Sequence, residues 1–78
     1  MDANDLELIN RLREKDEELA RLWREHQELE AQLDSLGRRS YLSPQDQMEL
    51  KRLKKIKLAG RDRMEVILAN HRREAEGA

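Results

Sequence analysis

The sequence predicts an all-α protein: an antiparallel helical hairpin of two long helices, pairing with a second copy into a dimeric four-helix bundle. Leucines recur at three- and four-residue spacing in both halves of the chain, as they do where helices pack on one another. A single interruption over residues 37–43 separates the two halves. With 78 residues and no cysteine, the single domain over 1–78 can bury only a small core, so association between chains is expected to supplement it.

The first helix is predicted over about residues 4–36, with Asn4 as its N-cap. Its apolar seam has the spacing of a heptad repeat. The seam consists of Leu8, Leu12, Lys15, Leu19, Leu22, His26, Leu29, Leu33 and Leu36, of which Lys15 and His26 are polar. Ile9, Ala20 and Trp23 lie to one side of this seam. The apolar stripe is therefore wider than a two-stranded coiled coil requires.

The turn is predicted over 37–43 and the second helix over about 44–73. Gly37 suits the left-handed residue that follows many helix ends. Ser43, followed by proline, supplies an N-cap, and Asp46 three residues later completes a pattern like a capping box. These signals predict a sharp stop and restart, which fold the second helix back along the first.

The seam of the second helix is less regular. It consists of Leu50, Leu53, Lys57, Gly60, Met64, Ile67 and His71. Lys57 must extend its ammonium to solvent or pair it, and a glycine inside a helix costs about 1 kcal/mol relative to alanine. We expect the indole of Trp23 to fill the space beside Gly60, and we expect the tail over 74–78 to fray.

Helical geometry places several off-seam residues on one flank of the hairpin, which a single hairpin would leave exposed. With a turn centred near residue 40, Leu12 is expected opposite Leu68, and Leu22 opposite Leu58. The predicted dimer or partner interface consists of Ile9, Leu12, Leu19, Trp23, Leu58, Met64 and Leu68.

Charge is distributed unevenly along the chain. Residues 1–36 carry 5 Lys and Arg against 11 Asp and Glu, whereas residues 37–78 carry 11 against 6. The simplest interpretation is ion pairing between the two helices. A possible basic binding face remains on the second helix: Lys51, Arg52, Lys54, Lys55 and Arg61. If these charges face outward they could bind nucleic acid, although the net charge of −1 and the aromatic content of 3% favour this less.

No catalytic, cofactor or metal site is predicted. His26 and His71 are the only histidines, and the hairpin separates them by about 25 Å along its axis at 1.5 Å per residue. The serines cluster at the turn, where no histidine could activate them. We expect His26 to be a partly buried structural residue that hydrogen-bonds a carboxylate such as Glu30.

Two stretches resemble motifs of a known family. Residues 22–30, LWREHQELE, resemble the Leu-aromatic-x-x-His-Asn-x-Leu-Asp stretch of the YdcH-like family of small bacterial proteins. Residues 53–64, LKKIKLAGRDRM, resemble the lysine-rich second motif of that family. The family-motif positions singled out here are His26, Leu29, Lys57 and Asp62. The resemblance implies a helical hairpin that tends to dimerise, in a family catalogued as a domain of unknown function.

These observations favour a cytoplasmic interaction or structural module, acting through coiled-coil-like protein contacts, over an enzyme. No apolar run approaches the ~18 residues that span a bilayer, so no membrane association is expected. The expected partners are a second copy of the chain and a protein that the sequence does not identify. The alternative is a nucleic-acid- or ribosome-associated factor that uses the basic face of the second helix.

Overall fold

The computed structural model describes residues 2–77, which form three α-helices and no strand: α1 (Ala3–Leu12), α2 (Glu17–Gly37) and α3 (Pro44–Gly77). Met1 and Ala78, the two ends of the predicted domain, lie outside the described residues. The all-α class is confirmed. At 34 residues, α3 extends along almost the whole 53 Å length of the molecule.

The helices α2 and α3 run antiparallel, and their ion pairs show it. Glu18, near the start of α2, pairs with Arg63, whereas Glu30 further along α2 pairs with Lys57, which comes earlier in α3. The predicted attraction between an acidic and a basic helix is therefore present as direct contacts. Among the described helices, none has the combined length and apolar character that crossing a membrane needs.

The start of α3 follows the predicted capping pattern. The Ser43 hydroxyl oxygen accepts a hydrogen bond from the Asp46 backbone N–H at 3.1 Å, and an Asp46 carboxylate oxygen accepts one from the Ser43 N–H at 3.2 Å. This reciprocal pair is a capping box with aspartate in place of glutamate. The bond from the Ser43 N–H, aided by the Ser43 hydroxyl and the Arg39 guanidinium, lowers the pKa of Asp46.

The prediction of one helix over about 4–36 is wrong, because the chain turns over residues 13–16. Asp16 has an extended backbone conformation and accepts a hydrogen bond from the Leu19 N–H at 3.0 Å, so it is the N-cap of α2. Lys15, predicted to fill a seam position, lies in the turn. α1 is therefore a separate helix, and it packs on both α2 and α3.

Three helix ends also differ from the sequence-based predictions. Asp2, rather than Asn4, caps α1 by accepting from the Asp5 N–H at 2.8 Å. Gly37 is the last residue of α2 and has no left-handed backbone, since α2 ends on an Arg38 in right-handed conformation. The tail predicted to fray is helical through Gly77.

The main core lies where all three helices meet. It consists of Ile9, Leu19, Leu22, Met64, Ile67 and Leu68, with Leu8, Leu12 and Trp23 packed against it. Towards the turn the buried apolar residues are fewer, Leu36 on α2 and Leu53 on α3. The turn end is therefore a two-helix structure with a thin core.

The fold corrects two packing predictions. Ile9 and Leu68, expected on an exposed flank, are 0% and 1% exposed, because α1 covers that flank at the open end of the hairpin. Leu22 belongs to the cluster that contains Met64 and does not lie opposite Leu58, which is 55% exposed. The residues of α2 and α3 that lie opposite each other thus differ by several positions from the predicted pairs.

The prediction that the Trp23 indole fills the space beside Gly60 is also wrong. A methyl group built on this residue would meet no atom within 4 Å, apart from its own helix. The Trp23 indole therefore does not occupy that space, and it packs instead against the main core.

Candidate functional site

At the middle of the hairpin, two cationic or ionisable side chains converge on one carboxylate. Nε2 of His26 lies 3.1 Å from Oε1 of Glu30, one turn further along α2. Nζ of Lys57, on α3, lies 3.5 Å from the same oxygen. We call these three residues the Glu30 cluster. The histidine contact agrees with the prediction, and Lys57 meets its predicted need for a partner.

The imidazole of His26 is held between this carboxylate and an aromatic ring. The rings of Trp23 and His26 stack, with centroids 5.7 Å apart and planes 16° from parallel. The histidine is 8% exposed, and its Nδ1 has no hydrogen-bond partner among the described residues. The stack fixes the ring so that only Nε2 faces a polar group.

The Glu30 cluster has the parts of a structural ion-pair network. No set of three metal-binding side chains comes together within residues 2–77. His71, the other histidine, lies at the far end of α3, where Nε2 is 3.1 Å from an Asp16 carboxylate oxygen. That contact adds to the backbone hydrogen bond from Leu19 in lowering the pKa of Asp16.

All five residues of the predicted basic face are exposed. Two of them are paired within their own helix, Arg52 with Glu49 and Arg61 with Glu65. The Arg52 guanidinium lowers the pKa of the Glu49 carboxyl. The other three have no carboxylate within 4.0 Å among the described residues: Lys51, Lys54 and Lys55.

A shallow groove separates α2 from α3 on the side of the basic face. It is lined by Leu33 of α2 and by Lys54, Lys57, Leu58 and Arg61 of α3, with a volume of about 340 Å³. We call it the Leu58 groove. It places an exposed leucine beside three cationic side chains, and Lys57 links it to the Glu30 cluster.

The structure divides the predicted interface residues into three groups. Four are buried within the single chain: Ile9, Leu19, Met64 and Leu68. Leu12 and Trp23 are half-buried against the same core, and Leu58 alone of the seven is largely exposed. Of the remaining family-motif positions, Leu29 is half-buried and Asp62 is exposed.

Sequence reasoning missed the ion pairs that join the helices at the open end. Arg72 near the end of α3 attaches α1 by bonding an Asp5 carboxylate oxygen at 2.7 Å, and Arg63 joins α3 to α2 by donating to both carboxylate oxygens of Glu18. The Arg63 contact lowers the pKa of Glu18. One available indication was Asp16, a good N-cap residue three positions before Leu19.

Comparison with known proteins identifies the family. The family described as "Protein of unknown function (DUF465)" matches residues 19–68, well over half of the chain. The matched part contains the Glu30 cluster and the Leu58 groove and leaves out α1. No curated protein and no solved structure matches the chain. The chain therefore belongs to the DUF465 family of proteins of unknown function.

Proposed function

We propose that this chain is a small α-helical module for protein–protein interaction, with no catalytic role. The observation that carries the proposal is the Leu58 groove. It exposes 55% of a leucine at the centre of a cationic surface, within the part of the chain that the family shares. Contiguous apolar surface with a polar rim marks interaction sites, and Leu33 and Leu58 line this groove together. The proposal places the module in the cytoplasm, since a chain without cysteine needs no oxidising compartment.

Self-association into a homodimeric four-helix bundle is part of the proposal. Its support is the thin core at the turn end and the apolar residues that α3 leaves exposed, including Ile56 at 43%. The resemblance of residues 22–30 and 53–64 to the YdcH-like family also favours a dimer. A second copy would pack beside Ile56, where charges of both signs, such as Glu49 and Arg52, can pair across a two-fold axis.

Sedimentation velocity at micromolar concentration tests the dimer. We expect a species of twice the 9.3 kDa chain mass, and we expect Ile56→Glu to return it to the monomer. Leu58→Glu is the matched control, because Leu58 is a similarly exposed residue that lies on another side of α3. A wild-type chain that stays monomeric would contradict the dimer.

A second candidate function, nucleic-acid binding, has one specific observation in its favour. Lys51, Lys54 and Lys55 project from α3 with no carboxylate of the described chain near them. Each phosphate that they contacted would release counterions, so binding would weaken steeply with salt. Filter binding to RNA and DNA at two salt concentrations tests this. A steep salt dependence supports it, and no binding at low salt removes it.

A further inference from the structure

We infer that the Leu58 groove binds an acidic amphipathic helix supplied by another protein. This rests on the proposed interaction function and names the chemistry of the partner. The inference combines the shape of the groove, the charge around it and the way in which α1 packs on the same side of the hairpin.

The shape of the groove suits side chains of a helix. Its volume of about 340 Å³ lies at the lower limit for small-molecule sites, and its α3 lining spans about two helical turns, from Lys54 to Arg61. Lys54 and Arg61 lie four residues before and three residues after Leu58, so all three project from one face of α3. Leu33 supplies the apolar wall on the α2 side. An apolar residue of a bound helix would therefore contact both leucines.

The charge of the groove selects an acidic partner. Its three cations have two carboxylate neighbours, Glu30 beside Lys57 and Glu65 beside Arg61, while Lys54 has none among the described residues. Both existing pairs are solvent-exposed, and such pairs contribute little to stability. Carboxylates of a partner can therefore join or replace them at little cost.

The chain itself shows this docking mode at its other end. Helix α1 buries Ile9 in the core and places Asp5 2.7 Å from the Arg72 guanidinium. Arg61 precedes Arg72 by eleven residues, which is three helical turns, so the two arginines lie on the same side of α3. The Leu58 groove thus repeats the apolar and cationic features of the α1 site, and no helix of the described chain covers it.

A second copy of this groove is a poor occupant. Two-fold pairing of the groove with itself would bring Lys54, Lys57 and Arg61 towards the same three cations of the other copy. Nucleic acid would use the cations but not the apolar contact of Leu33 and Leu58. An acidic helix uses both, in the helix-in-groove mode of peptide recognition.

The test is a titration of the full chain, followed by its backbone amide NMR signals. The probe is a synthetic helical peptide with leucine at the first and fourth positions of each heptad and glutamate on its flanks. The control peptide has lysine in place of each glutamate. We expect the acidic peptide to shift the signals of Leu33 and residues 54–61, and the lysine peptide to leave them unchanged.

Two matched variants locate the site. Leu58→Glu should weaken binding of the acidic peptide at least about tenfold, because it removes the apolar contact and adds a repelling charge. Met48→Glu, a similar change at an exposed apolar residue of the same helix outside the groove, should leave binding unchanged. Circular dichroism confirms that both variants keep their helices.

Three results would overturn the inference. These are equal binding of both peptides, peptide shifts that avoid residues 54–61, and unchanged affinity in Leu58→Glu. Groove shifts caused by duplex DNA, without any caused by the acidic peptide, would assign the site to nucleic acid instead. If the peptide fails while sedimentation shows the dimer, this inference alone is wrong. If neither association occurs, the proposed interaction function fails as well.

Discussion

The two ends of the hairpin differ in the number of helices that enclose the core. At the open end, α1 packs across α2 and α3 and completes a cluster in which Leu19 and Met64 are fully buried. From the middle towards the turn only α2 and α3 are present, and Leu58 stays exposed on the side that α1 covers elsewhere. A third helix therefore decides whether this side of the hairpin is core or exposed surface.

The segment that the family shares differs from the rest of the chain in the helices it contains. The family match over residues 19–68 includes the open groove and excludes α1. The matched segment contains five of the six residues of the main core, and the sixth, Ile9, comes from α1. The family match therefore leaves out the helix that completes the core at the open end.

The largest expected effect is the difference between the same substitution at the open end and at the Leu58 groove. Leu68→Ala, at a side chain that is 1% exposed, should lower the free energy of unfolding by about 2 to 5 kcal/mol, since it opens a cavity. Leu58→Ala, on the same helix but 55% exposed, should change it by less than about 0.5 kcal/mol. Urea denaturation followed by circular dichroism measures both. Equal losses would show that the two regions are packed alike.

A smaller effect is expected at the turn that lets α1 fold back. Asp16→Ala removes the N-cap of α2 and the contact with His71, so the free energy of unfolding should fall by about 0.5 to 2 kcal/mol. Asp62→Ala, at an exposed aspartate inside α3, is the control and should be nearly neutral. The same denaturation curves test it. No loss in Asp16→Ala would mean that the break in the helix does not depend on its cap.

Gly60→Ala probes the middle of the hairpin and should stabilise it. Since a methyl group there meets no atom within 4 Å outside its own helix, only the helix propensity changes, by up to about 1 kcal/mol. The same substitution in a Trp23→Leu background should give an equal gain, because the indole does not occupy this space. Thermal melts of the four proteins measure the coupling. A destabilised Gly60→Ala would restore the hypothesis that Gly60 receives Trp23.

The smallest effect concerns pH at the open end. Asp16 and Glu18 have pKa values below their ordinary 3.8 and 4.5, the first chiefly through the Leu19 N–H and the second through Arg63. A carboxyl group with a lowered pKa stabilises the fold fully above its ordinary value. That contribution is lost as the pH falls through the ordinary value towards the lowered one.

We therefore expect the melting temperature to decrease as the pH falls from 5 to about 3. The decrease should be shallower in Asp16→Asn, whose side chain does not titrate. Melting curves at a series of pH values measure it. A melting temperature that rises on acidification would contradict the assigned ion pairs.

Features that depend on neighbours in the sequence were predictable. The capping box of Ser43 and Asp46 joins residues three apart, and the contact of His26 with Glu30 joins residues four apart, so helical spacing alone indicates them. The all-α class follows from the same periodicity. Local spacing also explains why Ser43 marks the start of α3 correctly.

Features that depend on contacts between residues far apart in the sequence were not predictable. Lys15 continues the three-four spacing between Leu12 and Leu19, so periodicity does not reveal the turn there, and the tertiary packing of α1 decides it. The exposure of Leu58 depends on the register in which α3 packs against α2. A shift of this register by a few residues exchanges a core position for a surface one, and the pattern of leucines permits several registers.

The stack of Trp23 on His26 supplies an optical reporter at the centre of the hairpin. Trp23 is the only tryptophan of the chain, so all indole fluorescence arises 5.7 Å from one imidazole. The indole packs against the main core, so separation of the helices would expose it to water. The emission of this one indole therefore reports the opening of α2 from α3 without any added label.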